Sequence, residues 1–298
     1  MSTVESNLGK SAAKHTYSYY PGCSLHATAA EYNTSTRLVC QKLGIELREL
    51  EDWICCGASA AHSTDHLLSL ALPAHTLKQV EEEGLPLAVP CAMCFSRMKT
   101  ALYELRDEHT LDLVSRAVGK KLSTAVTVEH LLEVLTDESV HFPIVKPLSG
   151  LKVACYYGCL LVRPPEVVGF DNAENPQTMD RIMQELGAHP IDWGLKVSCC
   201  GAGVLFARPD IVLKLSHRIL SVAQRGGADC VSVACPMCHA NLDMLQKDMT
   251  AKHKQRMELP VLYFTQLIGL ALGFSPNELL LHKHLTDPLP MLRQKKLI

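Results

Sequence analysis

Ten of the thirteen cysteines fall into two copies of one pattern. The first copy is Cys23, then the adjacent pair Cys55-Cys56, then Cys91 and Cys94 as a CxxC. The second is Cys159, then Cys199-Cys200, then Cys235 and Cys238. Gaps of 31 and 34 residues in the first copy become 39 and 34 in the second. The later cysteines therefore repeat at an offset of 144, while Cys23 and Cys159 are 136 apart. An eight-residue insertion in the second copy explains the difference, and the polar stretch Gly169 to Asn175 is a natural place for it. The flanking residues repeat as well. Tyr19-Tyr20-Pro21-Gly22-Cys23 answers Tyr156-Tyr157-Gly158-Cys159, and Cys55-Cys56-Gly57-Ala58 answers Cys199-Cys200-Gly201-Ala202. Two copies at so long a period mean duplication of a whole domain rather than a solenoid. The join is expected where Pro143, Pro147, Ser149 and Gly150 break periodicity.

Each half reads as alternating strand and helix. Leu85 to Val89 and Cys230 to Ala234 are short apolar runs that enter the CxxC, as buried strands do. Phe95, Met98, Leu102 and Leu105 share one helical face, and Val212, Leu215, Ile219 and Val222 share another. Asn175-Pro176 reads as the N-cap and first residue of a helix carrying Met179, Ile182, Met183 and Leu186. This alternation predicts an α/β fold with a mainly parallel sheet in each half.

The adjacent cysteines limit the chemistry. Neighbouring side chains on an extended strand point to opposite sides. Two adjacent thiolates converge only through a sharp turn, which Gly57 and Gly201 make easy. Five thiolates per half exceed the four of a tetrahedral zinc or a simple cubane, and suit a polynuclear cluster with a bridging thiolate. Structural zinc stays an alternative on the CxxC alone. A vicinal disulfide would leave the other cysteines unexplained. Cys40, Cys155 and Cys230 lie off the repeat and read as buried apolar fillers.

Composition narrows the classes. A net charge of −2, from 29 basic and 31 acidic groups, provides no basic field for nucleic acid. No window has the roughly 18 apolar residues of a membrane span. The nearest, Leu259 to Phe274, is broken by Pro260, Thr265 and Gln266 and reads as a strand followed by a core helix. Residues 1–14 lack an apolar leader core, so a cytoplasmic location is expected, where disulfides are disfavoured. There is no ferredoxin cysteine run, no dinucleotide fingerprint and no P-loop.

The order Cys…Cys-Cys-Gly…Cys-x-x-Cys, twice, resembles the signature of the cysteine-rich CCG domain. Tyr20-Pro21-Gly22-Cys23-Ser24-Leu25 and Asp52 to His62 are similar to segments of the B-type subunit of heterodisulfide reductase. The resemblance covers about residues 16–285. It implies two homologous Rossmann-like CCG domains arising by internal duplication: 1–14 a flexible N-terminus, 15–146 the first domain, 147–285 the second, 286–298 a tail. It also implies two non-cubane [4Fe-4S] clusters. Cys23, Cys55, Cys56, Cys91 and Cys94 would hold one, and Cys159, Cys199, Cys200, Cys235 and Cys238 the other. The implied activity is cleavage or formation of an organic disulfide, or of a protein-bound lipoyl-type sulfur, between the two clusters. The implied partners are a ferredoxin-like C-type subunit and a flavoprotein A-type subunit. The alternative is an electron-transfer subunit of a hydroxyacid or succinate oxidoreductase. His26, His62 and His239 lie near the cysteines in sequence and are candidates to donate to a cluster sulfur or to a leaving thiolate. Arg163 and Arg208 are candidates to hold an anionic substrate, and Met93 and Met237 to pack against the clusters.

Overall fold

The computed structural model describes residues 15–254 and 256–298, with Ser59 described in its backbone only. The segment 1–14, expected as a flexible N-terminus, lies outside the described residues. The strands are β1 (Thr16–Tyr19), β2 (Glu46–Glu49), β3 (Leu87–Val89), β4 (Val128–His130), β5 (Lys152–Tyr156), β6 (His189–Pro190), β7 (Cys230–Val233) and β8 (Val261–Tyr263). They form two four-stranded sheets, ordered β2-β1-β3-β4 and β6-β5-β7-β8. Every pairing is parallel. The two sheets have the same strand order, as the duplication requires, and the central strands β3 and β7 are wholly buried.

Both central strands lead straight into a CxxC. Cys91 caps the helix Ala92–Glu104, and Cys235 caps the helix Pro236–Asp243. The last strand of each half ends on a cap: His130 and Glu133 form a capping box, and Gln266 accepts from the Tyr263 amide at 3.0 Å. No helix among the described residues is long and apolar enough to cross a membrane. Leu259 to Phe274 resolves into β8 and the buried helix Phe264–Ala271.

The halves pack directly on each other. Tyr32 stacks on Tyr263 at 4.1 Å and 6°, Ser35 Oγ meets Thr265 Oγ1 at 2.7 Å, and the Ala92 amide donates to the Ala234 carbonyl at 3.2 Å. That last bond joins the two CxxC loops across the interface.

Two local expectations shift. The helix expected to open at Asn175-Pro176 starts at Thr178. Asp171 Oδ2 accepts from the Gln177 and Thr178 amides and from Thr178 Oγ1 (2.6, 2.6 and 2.7 Å), so the capping carboxylate comes from the inserted loop. The segment 286–298 contains the helix Leu289–Gln294. Leu292 and Leu297 are buried, and Lys295 pairs with Asp229 at 2.6 Å and donates to the Gly150 carbonyl. Its apolar residues dock it onto the second half.

Burial also raises the Glu133 carboxyl to about 7, with Glu129 adding to the effect and Lys99 and the His130 amide opposing it. The folded value lies above the unfolded one, so this stability is complete at low pH and is lost as pH rises from about 4.5 to about 7. At 1.36 kcal/mol per unit this is about 3 kcal/mol. Glu133→Gln keeps the capping acceptor and removes the ionisation. The variant is expected to gain on wild type in urea midpoint between pH 5 and 8, and a gap that does not change over that range would refute the assignment.

Candidate metal centre

Each thiol is placed by a short backbone feature. Cys23 and Cys159 follow Gly22 and Gly158, which sit at φ of 74° and 71°. A Cβ on Gly22 would lie 3.1 Å from the Cys94 sulfur, and one on Gly158 would lie 3.2 Å from the Cys238 sulfur. Glycine therefore lets the first cysteine of each set close onto the last. The Cys-Cys pairs turn at Gly57 and Gly201, with φ of 78° and 87°. A Cβ on Gly57 would strike Ala61 Cβ at 2.7 Å. The same hydroxyl brace occurs in both halves: Tyr20 Oη donates to the Ile54 carbonyl (2.8 Å) and Tyr156 Oη to the Ser198 carbonyl (2.5 Å). Each tyrosine thereby ties the end of its first strand to the residue before its Cys-Cys pair.

The ten cysteines converge. In the first half, Cys23 and Cys55 sulfurs are 3.8 Å apart and Cys56 and Cys94 are 3.4 Å apart. In the second, Cys200 and Cys238 are 3.5 Å apart, and Cys199 accepts from the Gly201 amide at 3.3 Å. Side-chain contacts also join Cys55 to Cys56, Cys91 to Cys94, Cys235 to Cys238 and Cys159 to Cys199. One contact crosses the interface, between Cys91 and Cys235. The two sets thus meet at their CxxC cysteines. All thirteen cysteines are free.

The electrostatics follow from this crowding. Within each thiol pair one sulfur donates and the other accepts as thiolate. The Cys55 and Cys94 thiols hold Cys56 well below the usual thiol range. Cys159 brings Cys199 down to about 6. Cys238 and Cys91 hold Cys235 low. Cys91, Cys94, Cys159 and Cys238, which face these thiolates, are raised in turn, and Cys23 is raised by Cys55 and by burial. Several thiolates held this close suit an electropositive group that binds soft sulfur. Burial instead pushes Cys40 up to about 12 and raises Cys155 and Cys230. Those three remain protonated and apart from the sets.

A cavity of about 270 Å³ lies against the second set and is lined by all five of its cysteines, Cys159, Cys199, Cys200, Cys235 and Cys238. His62, Ala92, Met93 and Arg97 of the first half close it from across the interface. Five thiols around this void, with Cys199 and Cys235 held toward thiolate, fit an iron–sulfur group. Cys23, Cys55 and Cys199 are exposed, so both sets have an open rim.

Of the three singled-out histidines, only His62 lines this cavity. His26 is exposed and pairs with Glu49 at 2.7 Å. His239 is buried, stacks on Tyr263 and meets the Val261 carbonyl (3.1 Å) and His284 (2.9 Å). It does not line the cavity although it follows Cys238 in sequence. Arg163 pairs with Glu174 and Arg208 with Asp210, both outside the cavity. Met93 lines the cavity, and Met237 packs against the core. The arginine that does reach the cavity, Arg97, is not marked by any motif. It sits one helical turn beyond Cys94.

Duplicated parallel α/β halves that bring two five-cysteine sets together define a cysteine-rich α/β protein. The cysteine-rich domain (CCG) matches residues 17–99 and 153–243. The chain belongs to this cysteine-rich CCG domain family, together with the B-type subunits of heterodisulfide reductases. It is 35% identical over 276 residues to the 8-methylmenaquinol:fumarate reductase membrane anchor subunit of Wolinella succinogenes, covering 91% of this chain and 97% of that protein. It is 30% identical over 273 residues to the B-type subunit of the ferredoxin/F(420)H(2)-dependent CoB-CoM heterodisulfide reductase of Methanosarcina acetivorans, covering 88% and 91%. The crystal structure of a hypothetical protein from Helicobacter pylori has the same fold, with a TM-score of 0.77 at 14% identity. It is matched over 91% of this chain, which spans about half (52%) of that one.

Proposed function

We propose that this chain is the iron–sulfur subunit of a heterodisulfide reductase-like complex and that it cleaves or forms an organic disulfide. In this reading Cys23, Cys55, Cys56, Cys91 and Cys94 hold one non-cubane [4Fe-4S] cluster. Cys159, Cys199, Cys200, Cys235 and Cys238 hold the second. The observation that carries it is the contact of the two sets at Cys91 and Cys235 beside a cavity walled by both halves. When bound, such clusters supply one-electron redox chemistry and iron with an affinity for sulfur. Reducing a disulfide takes two electrons and two protons and releases two thiols. Two adjacent sites, one for each sulfur, match that demand. His62 at the cavity wall is placed to deliver a proton to a departing thiolate. Ala92, Met93 and Leu160 keep the cavity partly apolar. Electrons come from a ferredoxin-like C-type subunit fed by a flavoprotein A-type subunit, and the cytoplasmic location is part of the same proposal.

The Wolinella relative supports a second reading, in which the same clusters only relay electrons within a fumarate or succinate oxidoreductase. One experiment separates the two. The anaerobically purified chain is assayed with a reduced one-electron dye and a small organic disulfide. Steady thiol release is expected, with little turnover from a reduced nicotinamide until the ferredoxin-like and flavoprotein subunits are added. Dye oxidation that needs fumarate and a flavoprotein, with no thiol released, would overturn the first reading in favour of the second.

A further inference from the structure

The helix that starts at the second CxxC holds a cluster that its counterpart lacks. His239 and Asp243 lie 144 residues beyond Phe95 and Lys99, where the Lys99 ammonium sits over the Phe95 ring at 5.6 Å. In the second half His284, brought in by the C-terminal segment, joins the pair. One ligand atom from each of the three residues lies within 4.8 Å of the other two. All three are deeply buried: His239 is 6% exposed, Asp243 3% and His284 7%.

The hydrogen bonds leave lone pairs at the centre of this cluster. Gln266 Oε1 accepts from the Tyr263 amide at 3.0 Å, so the His284 Nε2 that faces it at 3.1 Å carries the ring proton. His284 Nδ1 is then an acceptor. It lies 2.9 Å from His239 Nε2, which also lies 3.1 Å from the Val261 carbonyl, so one proton serves two acceptors. Asp243 accepts from the Leu285 and Thr286 amides at 2.7 and 3.0 Å. Among the described residues no lysine or arginine pairs with it. Glu31 of the first half adds a second buried carboxylate that repels Asp243, and exposed Lys283 offsets part of that charge. Beside them Tyr263 stacks on His239, and its Oη is buried with no hydrogen-bond partner. A buried carboxylate without a cation is costly. An imidazole whose far nitrogen donates to a fixed acceptor, as His284 does to Gln266, is oriented as metal-bound histidines are.

We propose that His239, Asp243 and His284 form a metal site separate from both cysteine sets, and that it takes a zinc-like divalent cation. Two imidazoles and a carboxylate, with no thiol, suit such an ion and leave a fourth position for water. The metal takes the place of the proton between the two rings, which moves to the other nitrogen of His239. Tetrahedral zinc needs its two nitrogens about 3.3–3.4 Å apart, an opening of about 0.4 Å from the present 2.9 Å. Bound there, the ion ties the C-terminal segment, through His284, to the helix that begins at Cys235. Its role is structural, and the site depends on neither functional reading.

The test is metal analysis and zinc-edge X-ray absorption on the anaerobically purified, iron-loaded chain after incubation with zinc chloride and desalting. About one zinc per chain is expected beside the iron, with a nitrogen and oxygen shell at ~2.0–2.1 Å and no sulfur shell at ~2.3 Å. His239→Phe installs the residue of the first half. Asp243→Asn keeps an acceptor for the neighbouring amides and drops the charge. Each is expected to bind zinc more than about a hundred-fold more weakly, by competition with a chelating dye, beyond the effect of losing an outer partner of a ligand. Iron is measured in both. If His239→Phe loses iron, Asp243→Asn carries the comparison. A wild type that retains no zinc overturns the assignment. Zinc in a sulfur shell overturns it too, because the cysteines then hold the metal. Unchanged zinc affinity in Asp243→Asn does the same. None of these readouts involves disulfide turnover, so the site stands or falls apart from the proposed activity.

Discussion

Protein purified without oxygen is expected to contain about eight iron and eight acid-labile sulfide atoms per chain, and Cys200→Ser about half of each. The expectation rests on two cysteine sets with the same plan. Each has an exposed first cysteine or a partly exposed one, a Cys-Cys turn at a left-handed glycine and a CxxC at a helix start. Cys200 is buried within 3.5 Å of Cys238 and belongs to the second set alone. Its loss should empty that set, and the first should stay loaded because its own five sulfurs are intact. Two closed zinc sites would behave differently, with about two zinc and no sulfide per chain. Iron near four in wild type would mean that one set is not a cluster site. Exposure of Cys23, Cys55 and Cys199 also predicts bleaching in air, read as loss of visible absorbance together with released iron.

Much of this site could be read from the sequence because its chemistry resides in a repeated residue type. The cysteines, the glycine turns and the strands entering each CxxC are local features, and duplication prints each of them twice. What could not be read depends on side-chain direction. His239 follows Cys238, yet its ring turns to Val261 and His284, while distant His62 reaches the cavity. Arg163 and Arg208 stood near second-half motifs but found carboxylates close by. Arg97 looked like any helix arginine, yet it reaches the cavity wall from one turn beyond Cys94. The tyrosine braces were visible as repeated residues, but their partners, Ile54 and Ser198, are backbone carbonyls with no sequence signal. The Asp171 cap was missed for a similar reason. The nearer Asn175-Pro176 matched the local rule, while the inserted loop delivered a better acceptor from further away.

Cys56→Ser and Cys200→Ser are each expected to lower disulfide turnover more than about a hundred-fold, beyond the range seen when only an outer partner of a metal ligand is lost. Cys56 is a stabilised thiolate in contact with Cys55 and Cys94, and Cys200 occupies the matching place in the second half. The claim is that both halves handle substrate, so neither substitution should leave half of the activity. Cys40→Ser and Cys230→Ser are the controls. Both residues are fully buried, with thiols held protonated by burial, and neither contacts a set. Putting a hydroxyl there without a partner costs ~1–3 kcal/mol of stability and leaves most of the turnover. The measurement is thiol release with a one-electron dye, normalised to iron content in each variant. A Cys200→Ser protein with an intact first cluster and full turnover would show that a single centre suffices, and the duplicated second set would then need another explanation. Near-complete loss in both ligand variants, with the first cluster still loaded in Cys200→Ser, is the outcome expected if the sulfurs of one disulfide divide between the two halves.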